Sequence, residues 1–177
     1  MSEIRVDAIK TRAGAVPKAD DLGLNVTGNV LQVVHNTQSG SGSAIAAGSI
    51  TSFTDTGLSV SITPSSTSSK ILVFVSTNIG SMKSTSTTAS RYDLRLVNND
   101  ASETAFESRY TGTDNQVSGN ISVQDTFHGY FTPSSTSSQT YKVQTRVAGG
   151  STDSSSYIYL SWYSGSVQTI TAMEIAG

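Results

Sequence analysis

Hydrophobic and polar residues alternate along most of this chain with a period of two, the signature of pleated strands with one buried face. Residues 29–36 open the pattern as a short apolar strand, and the Gly/Ser/Ala-rich stretch 39–48 reads as a loop. Further strands are predicted at 49–53 and 58–62, the second with Leu58, Val60 and Ile62 on one face and Ser59 and Ser61 on the other. Residues 71–79 begin as a continuous apolar run (Ile71, Leu72, Val73, Phe74, Val75), which predicts a strand covered on both faces. At 91–97 the alternation resumes, with Tyr92, Leu94 and Leu96 inward and Arg91, Asp93 and Arg95 outward. A short strand at 105–110 precedes a polar loop at 111–120. Then 121–131 puts Ile121, Val123, Phe127 and Phe131 on one side, and 141–147 puts Tyr141, Val143 and Val147 inward. The aromatic-rich 157–163 and the closing 167–176 complete the set. No helical period is sustained beyond residue 22. The predicted class is therefore all-β, an antiparallel sandwich or jelly roll with a short N-terminal extended arm.

The first 21 residues differ from the rest. They hold eight of the 24 charged residues (11 basic plus 13 acidic), and these eight cancel. Residues 2–11 fit either a strand, through Ile4 and Val6, or one helical face, through Ile4, Ala8 and Thr11; Pro17 forces an extended step at Val16. The predicted division is an arm at 1–28 and a β head at 29–177. Within the arm, Ile4, Val6, Ile9 and Arg12 are the candidate anchoring residues, able to add apolar contacts or strand pairing to a neighbour.

One heptapeptide, Thr-Pro-Ser-Ser-Thr-Ser-Ser, occurs at 63–69 and again at 132–138. Each copy follows one predicted strand and precedes another. Proline fixes φ and removes a donor, so Pro64 and Pro133 can each end a strand and open a turn. The copies are expected to mark corresponding hairpin connections in two sheets; the blander alternative is convergent low complexity.

Composition sharpens this picture. The chain has 32 Ser and 23 Thr, 55 of its 177 residues, with only 3 Pro and 14% charged residues. Such a balance can mean disorder, but the alternating Val, Ile, Leu, Tyr and Phe argue for folded strands whose outer faces and turns use Ser and Thr. Net charge is −2, without the basic surplus that a phosphate backbone calls for, so nucleic acid is not an expected partner. The longest apolar runs fall far short of a membrane span, so no membrane insertion is expected. The N-terminus has no apolar secretion region, which predicts a protein made and folded in the cytoplasm where it is translated. With no cysteine, disulfides and thiolate metal sites are excluded.

Chemistry-bearing constellations are scarce. His35 and His128 have no local Asp, Glu or Cys at metal-ligand spacing, and read as strand or interface histidines. No G-x-S-x-G elbow is present. Gly23 to Gly28 matches the glycine spacing of a phosphate loop, but Asn29 and Val30 stand where Lys and Ser/Thr are needed. The carboxylates Asp93, Glu103, Glu107, Asp114, Asp125, Asp153 and Glu174 are dispersed, and a glycosidase pair from different strands is not identifiable from spacing. No cofactor or metal is expected, and the protein is expected not to be an enzyme. In 157–163, Tyr157, Tyr159 and Tyr163 share one face while Ile158, Leu160 and Trp162 share the other. An exposed aromatic row would suit a sugar or protein partner. The preferred reading makes one face core and the other a subunit interface, with Tyr157, Tyr159, Trp162 and Tyr163 as interface candidates.

A family resemblance adds to these readings. The stretch Ile4-Arg5-Val6-Asp7-Ala8-Ile9-Lys10-Thr11-Arg12-Ala13-Gly14, continued by Leu22-Gly23-Leu24-Asn25-Val26-Thr27-Gly28-Asn29-Val30-Leu31-Gln32-Val33-Val34, resembles the opening of tail-fibre and virion structural proteins of aquatic, cyanophage-like tailed bacteriophages. The blocks 55–73 and 170–176 resemble the same group, so the likeness spans nearly the whole chain. It implies an arm docked on other virion proteins (tail, collar or capsid) and a compact jelly-roll-like head in a homotrimer. It implies no catalytic residues. Host attachment through a surface glycan or receptor is a further expectation, with the loop tips 81–90, 98–104 and 111–120 as readers. A capsid decoration (cement) or head-fibre protein is the alternative, favoured by the short stretch before the β region. A polysaccharide depolymerase is the remote one.

Overall fold

The computed structural model describes residues 27–39, 44–47, 52–83, 90–99, 103–113, 119–147, 157–160 and 165–177. They form β1 (Val30–Ser39), β2 (Ala44–Ala47), β3 (Thr54–Ile62), β4 (Lys70–Lys83), β5 (Ser90–Asn98), β6 (Glu103–Thr113), β7 (Gly119–Phe131), β8 (Gln139–Val147), β9 (Tyr157–Leu160) and β10 (Val167–Ile175). All pairings are antiparallel. Sheet A runs β1-β10-β4-β9-β2 with β7 on the other side of β4, and sheet B runs β3-β8-β5-β6.

The six strands of sheet A reduce to four rows. The first half of β4 pairs with β10 and its second half with β9, both on the same side, while β7 lines its opposite side throughout. β1 and β2 flank β10 and β9 in the same end-to-end way. Each sheet is thus four rows wide: (β1/β2)-(β10/β9)-β4-β7 facing β3-β8-β5-β6. With β1/β2 and β9/β10 each counted as one row, the chain changes sheet at every step from row to row except β5 to β6. This is the eight-row jelly roll, an antiparallel β-sandwich, as the periodicity predicts.

The core lies between the sheets because the inward set of each strand is apolar. Leu58, Ile71, Val73, Leu94, Leu96, Phe131, Tyr141, Val143, Ile170 and Ala172 are all fully buried. Burying each large aliphatic or Phe side chain stabilises the fold by roughly 1.5–3 kcal/mol. The rings of Phe131 and Tyr141 lock the sheets together at 4.6 Å between centroids.

Several expectations are corrected. The predicted loop 39–48 contains β2, which pairs with β9. Ser52 and Phe53 lie before β3, outside any strand. The polar loop predicted at 111–120 is strand at both ends, with 114–118 outside the described residues. β4 is covered on one face only: Ile71, Val73 and Val75 are buried, but Leu72 is half-buried and Phe74 is 41% exposed. The repeated heptapeptides do not make hairpins. The first carries the chain from β3 in sheet B to β4 in sheet A, and the second from β7 in sheet A to β8 in sheet B. Because β3 pairs with β8 and β4 with β7, the two crossings lie side by side at one end of the sandwich. Their local structure matches: the Ser68 amide donates to Ser66 Oγ at 3.1 Å, and the Ser137 amide to Ser135 Oγ at 3.2 Å. The predicted arm lies outside the described residues up to residue 26, and with it Ile4, Val6, Ile9 and Arg12.

Candidate functional site

A jelly roll offers its two outer sheet faces, its loop ends and any cleft between them; here the faces differ sharply. On sheet A the register builds rows across the four strands. Val33, Met173, Leu72 and Tyr130 form one row, successive members being cross-strand partners. The next row is His35, Thr171, Phe74 and His128, and the next Thr37, Thr169, Ser76 and Thr126. In the middle row His35 Nδ1 shares a hydrogen bond with Thr171 Oγ1 at 2.8 Å, and the Phe74 and His128 rings lie 6.0 Å apart. Both histidines of the chain therefore stand on one row of one face, as strand histidines.

This face is also where the large exposed apolar side chains collect. Val30, Val33, Phe74, Tyr130 and Val167 are the exposed large hydrophobics among the described residues, and all belong to sheet A. Across its rows from Val30 to Ser39, Lys70 is the one Lys, Arg, Asp or Glu on the outer face; its Nζ donates to Thr132 Oγ1 at 2.9 Å. In β9, Ile158 is buried, so alternation puts positions 157 and 159 on this same outer face, further along β4. Tyr159 is half-buried there. Trp162 and Tyr163 lie outside the described residues.

The outer face of sheet B is charged. Asp93 of β5 is 1% exposed and accepts from Arg146 of β8, with both Nε and Nη2 2.8 Å from the same oxygen, Oδ2. Its other oxygen, Oδ1, has no hydrogen-bond partner. Arg95 and Arg146 place their guanidinium carbons 4.1 and 4.4 Å from the Phe53 ring centroid, so this aromatic side chain covers both cations. Arg95 Nε donates to Gln144 Oε1, Gln144 donates to Asp55, and Lys142 reaches Asp55 Oδ2 at 2.7 Å. Burial pushes the Asp55 carboxyl up, but the hydrogen bonds from Lys142 and Gln144 and the charges of Lys142 and Arg95 outweigh it. The net shift is downward. Beside this network a shallow groove of about 270 Å³ is lined by Arg95, Asn98, Asn99, Thr104, Lys142 and Gln144. Such a surface can hydrogen-bond a hydroxylated or charged group.

Two further polar devices lie inside the sandwich. Glu174 of β10 is fully buried beneath the first crossing. It accepts from Gln32 Nε2, and from the amide and hydroxyl of Ser65, both at 2.7 Å. Desolvation raises its pKa, and these hydrogen bonds bring it below the ordinary glutamate value. The second crossing is held in a parallel way: Gln139 Nε2 donates to Ser135 O at 3.0 Å, while Gln139 Oε1 accepts from Asn98 and Tyr141. Midway along β4, Gln38 pairs with Gln168 across β1 and β10, and Thr77 with Asp125 across β4 and β7, all on the inward side. Each carries one buried atom without a hydrogen-bond partner: Gln38 Oε1, Gln168 Nε2, Thr77 Oγ1 and Asp125 Oδ2.

Among the described residues no group of three or more His, Cys, Asp or Glu is placed to hold a metal. Asp93 and Glu174, both among the dispersed carboxylates, sit in different sheets, each committed to its own partners. Sequence reasoning missed the charged network around Phe53 and the buried roles of Asp93 and Glu174, whose partners are 53 to 142 residues away. The loop tips expected to read a receptor fall largely outside the described residues.

No protein-family model matches this chain, and no curated protein matches it. Among solved structures it is similar to one of infectious bursal disease virus, Gx strain, at a TM-score of 0.40 and 12% identity over 98% of this chain and 37% of that one. For the Gt strain the values are 0.34 and 13%, over 84% and 39%. For a mutant VP2 protein of the same virus in T=1 particles they are 0.32 and 12%, over 82% and 40%. The chain spans about two fifths of the length of each of these structures.

Proposed function

We propose that this protein is a non-catalytic structural component of a tailed-phage virion, of the tail-fibre or spike type. It is anchored by residues 1–28 and presents its jelly-roll head in three copies. The carrying observation is the sequence likeness that runs from Ile4 to Ala176 across a head of jelly-roll topology, an architecture that viral shells share with lectins and cupins. Topology by itself does not select among those uses; the likeness does. The mechanism is one of assembly: the arm supplies attachment, the interlocked sheets supply a stiff body, and the outer faces meet neighbours. The polar groove on sheet B, beside Arg95 and Lys142, is the surface suited to a host glycan or receptor.

Deleting residues 1–21 is the direct test. The truncated protein should fold, shown by an unchanged β-type circular dichroism spectrum, yet fail to join particles. Normal incorporation of the truncated protein rejects the anchoring role. Imaging particles that carry a tagged full-length chain distinguishes a tail location from a capsid-cement one, and turnover of host polysaccharide rejects the non-catalytic reading.

A further inference from the structure

We propose that the outer face of sheet A is buried against the same face of a second copy of this chain. The proposal rests on the reading of the protein as an assembly component, since it names the surface through which copies meet. Three observations carry it.

The first is the partition of apolar surface. Every large exposed hydrophobic side chain among the described residues belongs to sheet A, and Val33, Phe74 and Tyr130, at 56%, 41% and 54% exposure, fall on adjacent rows of it. Leu72 and Met173, half-buried between Val33 and Tyr130, make the apolar row continuous across all four strands. Scattered exposed hydrophobics are ordinary, but a contiguous row is a contact surface.

The second is charge. Against this face, sheet B's outer network of Arg95, Lys142, Arg146, Asp55 and Asp93 would lose its water with nothing charged opposite to replace it. An identical face brings hydroxyls, imidazoles, the amides of Asn78 and Gln124 and apolar groups, with Lys70 at one margin already bound to Thr132. Within this molecule the complement of sheet A is sheet A, so the like faces of the copies converge on a common axis. Strand faces with alternating small and large side chains interdigitate in that way when sheets stack.

The third is size. Four rows at about 4.8 Å and nine residues at about 3.4 Å give roughly 19 by 30 Å, on the order of 600 Å² before side-chain relief. That is close to the roughly 800 Å² per partner that a stable pair buries.

The absence of cysteine in the chain allows a clean test. Full-length Phe74→Cys, treated with a short bis-maleimide, should give covalently joined pairs of chains. Ser61→Cys, exposed on the opposite face, should give at least tenfold fewer. In sedimentation velocity the double variant Val33→Asp/Tyr130→Asp should lose the wild-type oligomer, while Ser61→Asp keeps it. A wild type that stays monomeric at its highest soluble concentration overturns the proposal, as does crosslinking no better from position 74 than from 61. An oligomer that survives both aspartates overturns it too. Capture of a different virion protein by a monomeric chain replaces the second copy with a hetero-partner, and equally overturns it. Should the aspartate variant unfold, the crosslinking comparison decides alone. Particle incorporation keeps the two readings apart. Failure of the interface with normal incorporation removes this inference only, and intact crosslinking without incorporation removes the virion role only.

Discussion

At the scale of single residues, the buried ions decide more than their number suggests. Asp93 is buried to 1%, and its counter-ion among the described residues, Arg146, is about a quarter exposed. Removing Arg146 strands a desolvated carboxylate, so Arg146→Ala should cost about 3 kcal/mol in urea unfolding, the lower end of what breaking a buried pair costs. Glu174 gives a pH signature. Its folded pKa lies below the unfolded one, so its contribution is present above the ordinary glutamate pKa of about 4.3 and is lost as pH falls through the lower folded value. Glu174→Gln should therefore be less stable than wild type at neutral pH, and the gap should close on acidification through the carboxylate range; a gap that widens on acidification contradicts the assignment. The unpaired inward row behaves oppositely. Thr77 Oγ1 has no hydrogen-bond partner, so Thr77→Val should leave the melting temperature unchanged or raise it. Thr56→Val, which breaks the 2.8 Å bond to Val143 O, should lower stability by about 1 kcal/mol.

At the scale of elements, β3 is shaped by one glycine. Register with β8 slips between Asp55 and Ser59, and Gly57 sits in the bulge at φ +87, a left-handed conformation that costs little only without a Cβ. A Cβ there would also lie 3.0 Å from Gln38 Nε2. Gly57→Ala should destabilise by roughly 1–2 kcal/mol, measured by thermal melting. The strands themselves were largely legible, because a period of two is a local signal: β3, β5 and the described parts of β7 and β8 carry their inward residues where alternation puts them. β2 was not legible. Its Ala-Ile-Ala-Ala sequence has little strand propensity, and pairing with β9, more than a hundred residues on, makes it a strand. β4 misled for a different reason: an unbroken apolar run reads as doubly buried, whereas its outer residues Leu72 and Phe74 belong to an open face. The crossings were located correctly as strand ends, but sheet membership is not encoded locally, so a sheet-to-sheet passage looked like a hairpin. Of the site, the network around Phe53 was not legible, because it depends on partners brought together only by the fold.

At the scale of the whole molecule, neighbouring rows are rarely neighbours in sequence. β10 lies between β1 and β4, and β8 between β3 and β5, so native pairing requires closing long loops before their contacts stabilise them. Refolding from denaturant should accordingly take milliseconds to seconds or longer in stopped-flow fluorescence of Trp162, as for other β-sandwiches of high contact order; a microsecond phase carrying the full amplitude contradicts this topology. Ends matter as much as order. At one end two identical crossings are tied down by Glu174 and Gln139, with buried hydrogen bonds on both sheets. Midway along sheet A, where β10 gives way to β9 beside β4, four strands meet in a line of polar atoms whose partners are incomplete. Thermal opening of the sandwich thus has a preferred direction, like a zipper stitched at its base. Amide exchange will be slowest around Ile71 and Tyr141 and will quicken towards Thr77 and Gln168, so any neighbour that reshapes this head will find its grip along that unstitched seam.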